Sequence, residues 1–103
     1  MNLFDQMANN DAPKPEEAEV KLDLCGMEKP DALQKLDSVV KYCKSTSVKT
    51  LYISFDPVKL GAGQTLFQPV ARYVSIEKRN GYVIGAVPLM TPERGGLFVT
   101  FKL

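Results

Sequence analysis

Apolar residues occupy every second position at Val20, Leu22 and Leu24, with Lys21 and Asp23 between them, the two-residue period of a half-buried strand. Gly26 closes that run. Pro30 and Asp31 suit the first turn of a helix, where proline loses no needed donor and a carboxylate meets the positive end of the helix dipole. Leu33, Leu36, Val40 and Cys43 follow at spacings of three, four and three, which predicts one apolar helical face lying on a sheet.

The stretch "KSTS" breaks the helical pattern, and "VKTLYISF" supplies β-branched and aromatic residues for a second strand, expected parallel to the first through the helical crossover. "DPVKLGAGQ" reads as a loop. Thr65 to Gln68 has the form of a capping box, with Leu66, Val70 and Tyr73 at helical spacing behind it. Pro69 deletes a backbone donor beyond that box, which moves the expected helix start towards Pro69 itself. Asn80 and Gly81 are a turn signal, and "YVIGAVPLM" after them predicts a third strand. Pro88 near its end calls for an edge position or a bulge. "TPERGG" makes the next turn, and the last strand places Leu97, Val99, Phe101 and Leu103 on one face. The order is βαβαββ, an α/β fold: a two-layer α/β sandwich with a mixed four-stranded sheet.

Upstream of Val20 the pattern fails. Residues 8–19, "ANNDAPKPEEAE", combine two prolines, two asparagines and four acids with no apolar period, a composition that does not repay the entropy of ordering. Residues 1–19 are therefore expected to be an acidic disordered tail before a domain spanning 20–103. Leu3, Phe4 and Met7 lie within one helical turn and read either as a docking peptide for a protein partner or as a frayed terminus.

A chain of 103 residues, 45% hydrophobic and 24% charged, suits one domain with a real core. The formal charge of +1 gives no bulk electrostatic pull on nucleic acid, but its distribution is uneven. Asp5, Asp11, Glu16, Glu17 and Glu19 face only Lys14 in the first twenty residues, whereas Lys59, Arg72, Lys78, Arg79, Arg94 and Lys102 face Glu77 and Glu93 after residue 57. Cys25 and Cys43, without a signal-like apolar run, read as reduced thiols of a cytoplasmic protein. Apolar stretches are strand-sized, short of the roughly 20 residues a membrane-spanning helix needs, so no membrane is expected. Histidine is absent from the whole chain.

Three patches resemble the small MutS-related, or Smr, domain family. Leu22-Asp23-Leu24-Cys25-Gly26, followed by Ala32, Leu33 and Leu36, resembles the family's opening Leu-Asp-Leu-His-Gly strand and first helix, with cysteine in place of the histidine. "TLFQPVARYV" resembles its second helix. Gly95, Gly96, Leu97, Phe98, Val99 and Thr100 resemble its Gly-Gly-x-Gly-x-Thr strand, with Phe98 at the third glycine. The resemblance spans residues 20–103 and implies a DNA- or RNA-binding domain, with nicking or RNA-cleaving activity in some members. It associates that activity with the strand-end Asp-x-His, here Asp23 and Cys25, and with a His-Gly-x-Gly-like loop after the second strand, here "SFDPVKLGAGQ".

Both motif histidines are missing, and no other side chain has an unperturbed pKa between about 5 and 8. The expectation is a nucleic-acid-binding module whose nuclease activity is lost or weak. The alternatives are an inert protein-interaction module and a residual metal-dependent nicking endonuclease. Cys25 reads as an activated nucleophile or as a small residue at a former histidine position. Asp23 and Asp56 lie at the carboxyl ends of neighbouring strands and read either as a pair for a Mg²⁺ cofactor or as caps of backbone amides. Lys59, Gly61 and Gly63 lie in a loop before a helix, where backbone donors attract phosphate, and Arg72 lies near its rim. Lys78, Arg79 and Arg94 extend the basic surface from two turns.

Overall fold

The computed structural model describes residues 13–57, 66–91 and 94–102. Strands β1 (Val20–Asp23), β2 (Thr50–Phe55), β3 (Val83–Pro88) and β4 (Gly95–Phe101) alternate with helices α1 (Lys29–Thr46) and α2 (Phe67–Arg79) in the order βαβαββ. They form one mixed sheet, ordered β1-β2-β4-β3. β1 and β2 are parallel, while β4 pairs antiparallel with β2 and β3. The chain is thus the two-layer α/β sandwich that its hydrophobic pattern predicts.

The core lies between the helices and one sheet face. Leu22, Leu24, Leu51, Ile53, Phe55, Leu97, Val99 and Phe101 pack from the sheet. Ala32, Leu36, Val40 and Cys43 meet them from α1, and Val70 and Val74 from α2. Leu33 is only half-buried; Ala32 takes the inward place expected of it, one residue earlier in the stripe. The helix also runs through "KSTS" as far as Thr46, with the Ser45 and Thr46 hydroxyls both donating to the Tyr42 carbonyl at 3.0 and 2.7 Å. It stops at Ser47, whose φ of 60° lets the Val48 N–H reach back to the Cys43 carbonyl at 3.3 Å.

α2 begins at Phe67, with Leu66 at the cap position and no side-chain cap. Thr65, where the expected capping box starts, lies outside the described residues. Pro69 falls in the first turn, where its missing donor has no intrahelical partner to lose. Asn80 and Gly81 make the expected turn, from the end of α2 into β3. The Tyr82 N–H bonds to the Glu77 carbonyl at 3.0 Å and the Gly81 N–H to that of Lys78 at 3.1 Å, with Gly81 at φ 89°, a helix stop that only a residue tolerant of positive φ makes cheaply. β3 is an edge strand with Pro88 at its end, paired in register with Leu97; the edge reading of that proline holds, and the strand's one register shift lies instead between Val83 and Gly85.

Two contacts fasten the helices to each other. The Tyr73 hydroxyl donates to Asp37 at 2.7 Å. Lys44 Nζ lies 2.8 Å from Glu77 Oε2 and 3.9 Å from the centre of the Tyr82 ring. Glu77 Oε2 is buried and has no hydrogen-bond partner, so the ion pair with Lys44 is the contact that offsets its burial.

The ordered chain starts earlier than Val20. Pro15–Glu17 form a 3₁₀ turn, the Glu19 N–H donates to Thr50 Oγ1 at 3.0 Å, and the Glu19 carboxylate accepts the Lys49 N–H at 3.1 Å. Composition misleads here because Pro13 and Pro15 have φ fixed in advance, which lowers the entropy of ordering, and because partners thirty residues away pin Glu19. Residues 1–12, with Leu3, Phe4 and Met7, lie outside the described residues. No helix among the described residues is long and apolar enough to cross a membrane.

Candidate nucleic-acid interface

β1 and β2 end side by side, Asp23 opposite Ser54. The chain leaves β1 through a tight turn in which the Met27 N–H bonds to the Leu24 carbonyl at 3.1 Å and Gly26 takes φ 76°. Leu24 itself stays tied to the sheet by donating to the Ser54 carbonyl at 2.7 Å. The turn's two free amides are taken by carboxylates: Cys25 N–H by Asp23 Oδ1 at 3.0 Å, and Gly26 N–H by Asp56 Oδ2 at 2.9 Å. Ser54 Oγ adds a third link to Asp23 Oδ1 at 3.2 Å. Parallel strands place ligands at their carboxyl ends, and this rim is that end.

The electrostatics follow from those contacts. The Cys25 N–H, then the Cys25 thiol, Ser54 and the more distant Arg94 charge hold the Asp23 carboxyl below its ordinary range, against a smaller opposing effect of burial. Burial, the hydrogen bond to Asp23 and the negative charges of Asp23 and Asp56 push the Cys25 thiol up to about 11. At neutral pH position 25 is thus a protonated thiol, the reverse of an activated nucleophile. Among the described residues no three of His, Cys, Asp and Glu group as metal ligands. Asp23 and Asp56 each already accept an amide, and two carboxylates fall short of the six or more oxygens a hard cation takes.

Asp23, Cys25, Asp56 and Arg94 therefore meet at one rim. Arg94 is placed there by Thr91, whose Oγ1 accepts the Arg94 N–H at 3.0 Å while its backbone N–H reaches the Arg94 carbonyl at 2.9 Å. Arg72 and Arg79 are exposed on α2, half a turn from its buried Val70 and Val74. Lys78 lines a separate groove between α2 and the β3–β4 pair, beside Ala71, Ala86 and Pro88. Lys59, Gly61 and Gly63 lie outside the described residues. Ser54 is the site residue that sequence reasoning missed; its signal is a lone hydroxyl within "LYISF", and it is the buried polar residue of the sheet at 4% exposure.

Gly95 and Gly96 have a packing role at the same end. A Cβ on Gly95 would stand 2.6 Å from Phe55 Cε2, and one on Gly96 2.7 Å from Tyr52 Cε1. The glycine pair lets two aromatic rings of β2 lie across β4, Phe55 on the core side and Tyr52 on the other.

No protein-family model matches the sequence, and no curated protein matches it. Among solved structures, the Smr domain of MutS2 from Thermus thermophilus is similar over 81% of this chain and 98% of that one, with a TM-score of 0.58 at 20% identity. The chain has the fold of an Smr domain.

Proposed function

We propose that this protein is a nucleic-acid-binding module of the Smr fold that does not cleave efficiently. The observation that carries the absence of cleavage is Cys25, a thiol pushed up to about 11 at the position matched to the motif histidine, in a chain with no histidine at all. A general base poised near neutrality is what phosphodiester cleavage needs, and the neighbouring carboxylates are engaged in holding a turn. Binding is supported by the likeness to the Smr domain of MutS2 and by Arg94 at the ligand end of the sheet. In this reading the protein takes DNA or RNA without a resident metal and works in a reducing compartment, where Cys25 and Cys43 remain the free thiols they are here.

Titration against single-stranded, duplex and branched DNA and RNA at two salt concentrations tests the binding. Affinity should fall with salt, by a slope of about −0.9 for each phosphate neutralised on duplex DNA. Incubation with the same substrates and Mg²⁺ or Mn²⁺ should give no cleavage above background. Cleavage abolished by Asp23→Asn would establish the metal–carboxylate nuclease instead.

A second reading, a protein-interaction module, is favoured by Ile84, Val87 and Met90, which stand 58%, 41% and 43% exposed on and just after the edge strand. Absence of any salt-sensitive nucleic-acid binding would favour it, with residues 1–19 or this apolar edge as the contact.

A further inference from the structure

Followed backwards from Val20, the chain crosses the side of the sheet that carries no helix. Glu19 is fastened to Lys49 and Thr50 at the start of β2, and residues 13–16 lie between Tyr52 of β2 and Leu89, Thr91 and Arg94 of the β3–β4 connection. At Pro13 the described chain therefore stands beside the end of β3, having travelled away from β1.

An apolar strip lies ahead of it. Ile84, Val87 and Met90 are exposed on and just after β3, which is an edge of the sheet. Val87 is on the helix-free face, because its partner Phe98 alternates with the core residues Leu97 and Val99. Ile84 is the residue that the register shift leaves without a partner in β4. Pro88 has no donor and blunts one end of the edge, but no charged side chain stands between Val83 and Met90. An uncovered apolar edge invites pairing with other chains, and proteins cover such edges or place charge on them. The opposite edge, β1, carries Lys21 and Asp23.

Residues 1–12 have the length and chemistry of a cover. Leu3, Phe4 and Met7 are apolar, and the stretch from Ala8 to Ala12 that joins them to Pro13 is small and polar. Met7 precedes Pro13 by six residues, a reach of up to about 20 Å, and the strip from Met90 back to Ile84 runs about the same distance. A short tether holds its end at an effective concentration of the order of millimolar. Contacts among a few apolar side chains, too weak to join separate molecules, suffice at that concentration.

We propose that Leu3, Phe4 and Met7 seat on Ile84, Val87 and Met90 of the same molecule, so that the chain's own N-terminal segment covers the exposed edge of the sheet. This gives the apolar edge an occupant from within the chain, and it does not depend on nucleic-acid binding.

The test is photo-cross-linking of the full chain with p-benzoylphenylalanine replacing Phe4, at a low and a high protein concentration, with the linked peptides mapped by mass spectrometry. The cross-links should fall on residues 84–90 of the same molecule, in a yield that does not change with concentration. The pair Ile84→Ser and Val87→Ser should lower that yield several-fold; both positions are exposed, so the variant keeps the fold, as circular dichroism will verify. In parallel, Leu3→Ser with Phe4→Ser in the full chain should raise the fluorescence of anilinonaphthalene sulfonate several-fold by uncovering the strip. Cross-links between two molecules that increase with concentration overturn the proposal and seat a second copy on the strip. It is equally overturned by cross-links that are absent or fall elsewhere, by a yield indifferent to the serine pair, or by unchanged dye fluorescence.

Discussion

Asp56 accepts the backbone N–H of Gly26 at 2.9 Å across thirty residues of sequence, so the end of β2 holds the turn that leads from β1 into α1. Asp56→Ala should destabilise the fold by about 1 kcal/mol, less than the roughly 1.5–3 kcal/mol of a bond to a charged group because the site is exposed. Asp56→Asn keeps an acceptor and should lose less. Urea unfolding at neutral pH measures both, and equal losses would show that the hydrogen bond is not what the carboxylate supplies.

Cys25 makes stability depend on pH at the alkaline end. Its ordinary thiol value of 9.0 applies to the unfolded chain, and the folded value is about 11. The folded state therefore holds the proton more tightly, and the stability this contributes is complete below pH 9, falls as pH rises from 9 towards 11, and is gone above that. Cys25→Ser should flatten this decline. In the native protein Cys25 should alkylate with iodoacetamide at pH 8 much more slowly than in the urea-unfolded chain, which mass spectrometry of the two cysteine peptides will resolve.

Asp23 acts at the acid end with the opposite sign. Its carboxyl is held below the model-peptide value of 3.8 by the Cys25 N–H and the other contacts, so its contribution is full above that value and is lost as pH falls through the lower folded value. Asp23→Asn should reduce the steepness of acid unfolding without changing nucleic-acid binding by more than about twofold. A large loss of binding would give Asp23 a direct part in holding the ligand.

Gly96→Ala should be among the most damaging small substitutions in the chain. The added methyl would stand 2.7 Å from Tyr52 Cε1, and the ring is 8% exposed with little room to move, so a loss of about 1–3 kcal/mol is expected from overpacking. The double change with Tyr52→Leu should recover part of it in a thermal melt.

Ser47→Gly should stabilise the protein. Ser47 ends α1 at φ 60°, a conformation that costs a side-chain-bearing residue about 1–2 kcal/mol and glycine almost nothing. The glycine's greater freedom in the unfolded chain offsets part of the gain, leaving about 0.5–1 kcal/mol. A rise in melting temperature with unchanged nucleic-acid affinity is the expected result.

What the sequence determined by itself was whatever depends on local period. The alternation at Val20, Leu22 and Leu24, the helical spacing through Leu36, Val40 and Cys43, and the apolar run of β4 each specify an element and its buried face, because side-chain direction repeats every 2 residues in a strand and every 3.6 in a helix. Pro88 marked the edge because it has no donor to give a neighbour. The absence of histidine was also legible without coordinates. Only the tertiary structure decided what depends on distant partners. Local spacing could not distinguish Ala32 from Leu33 as the inward residue, nor tell that α1 would run on through Ser45 and Thr46. The fates of Asp23 and Asp56 turned on which amides the β1–α1 turn left free. The ordering of residues 13–19, acidic and proline-rich, came from Lys49 and Thr50 waiting at the edge of the sheet, contacts that composition cannot register because they exist only once β1 and β2 have paired.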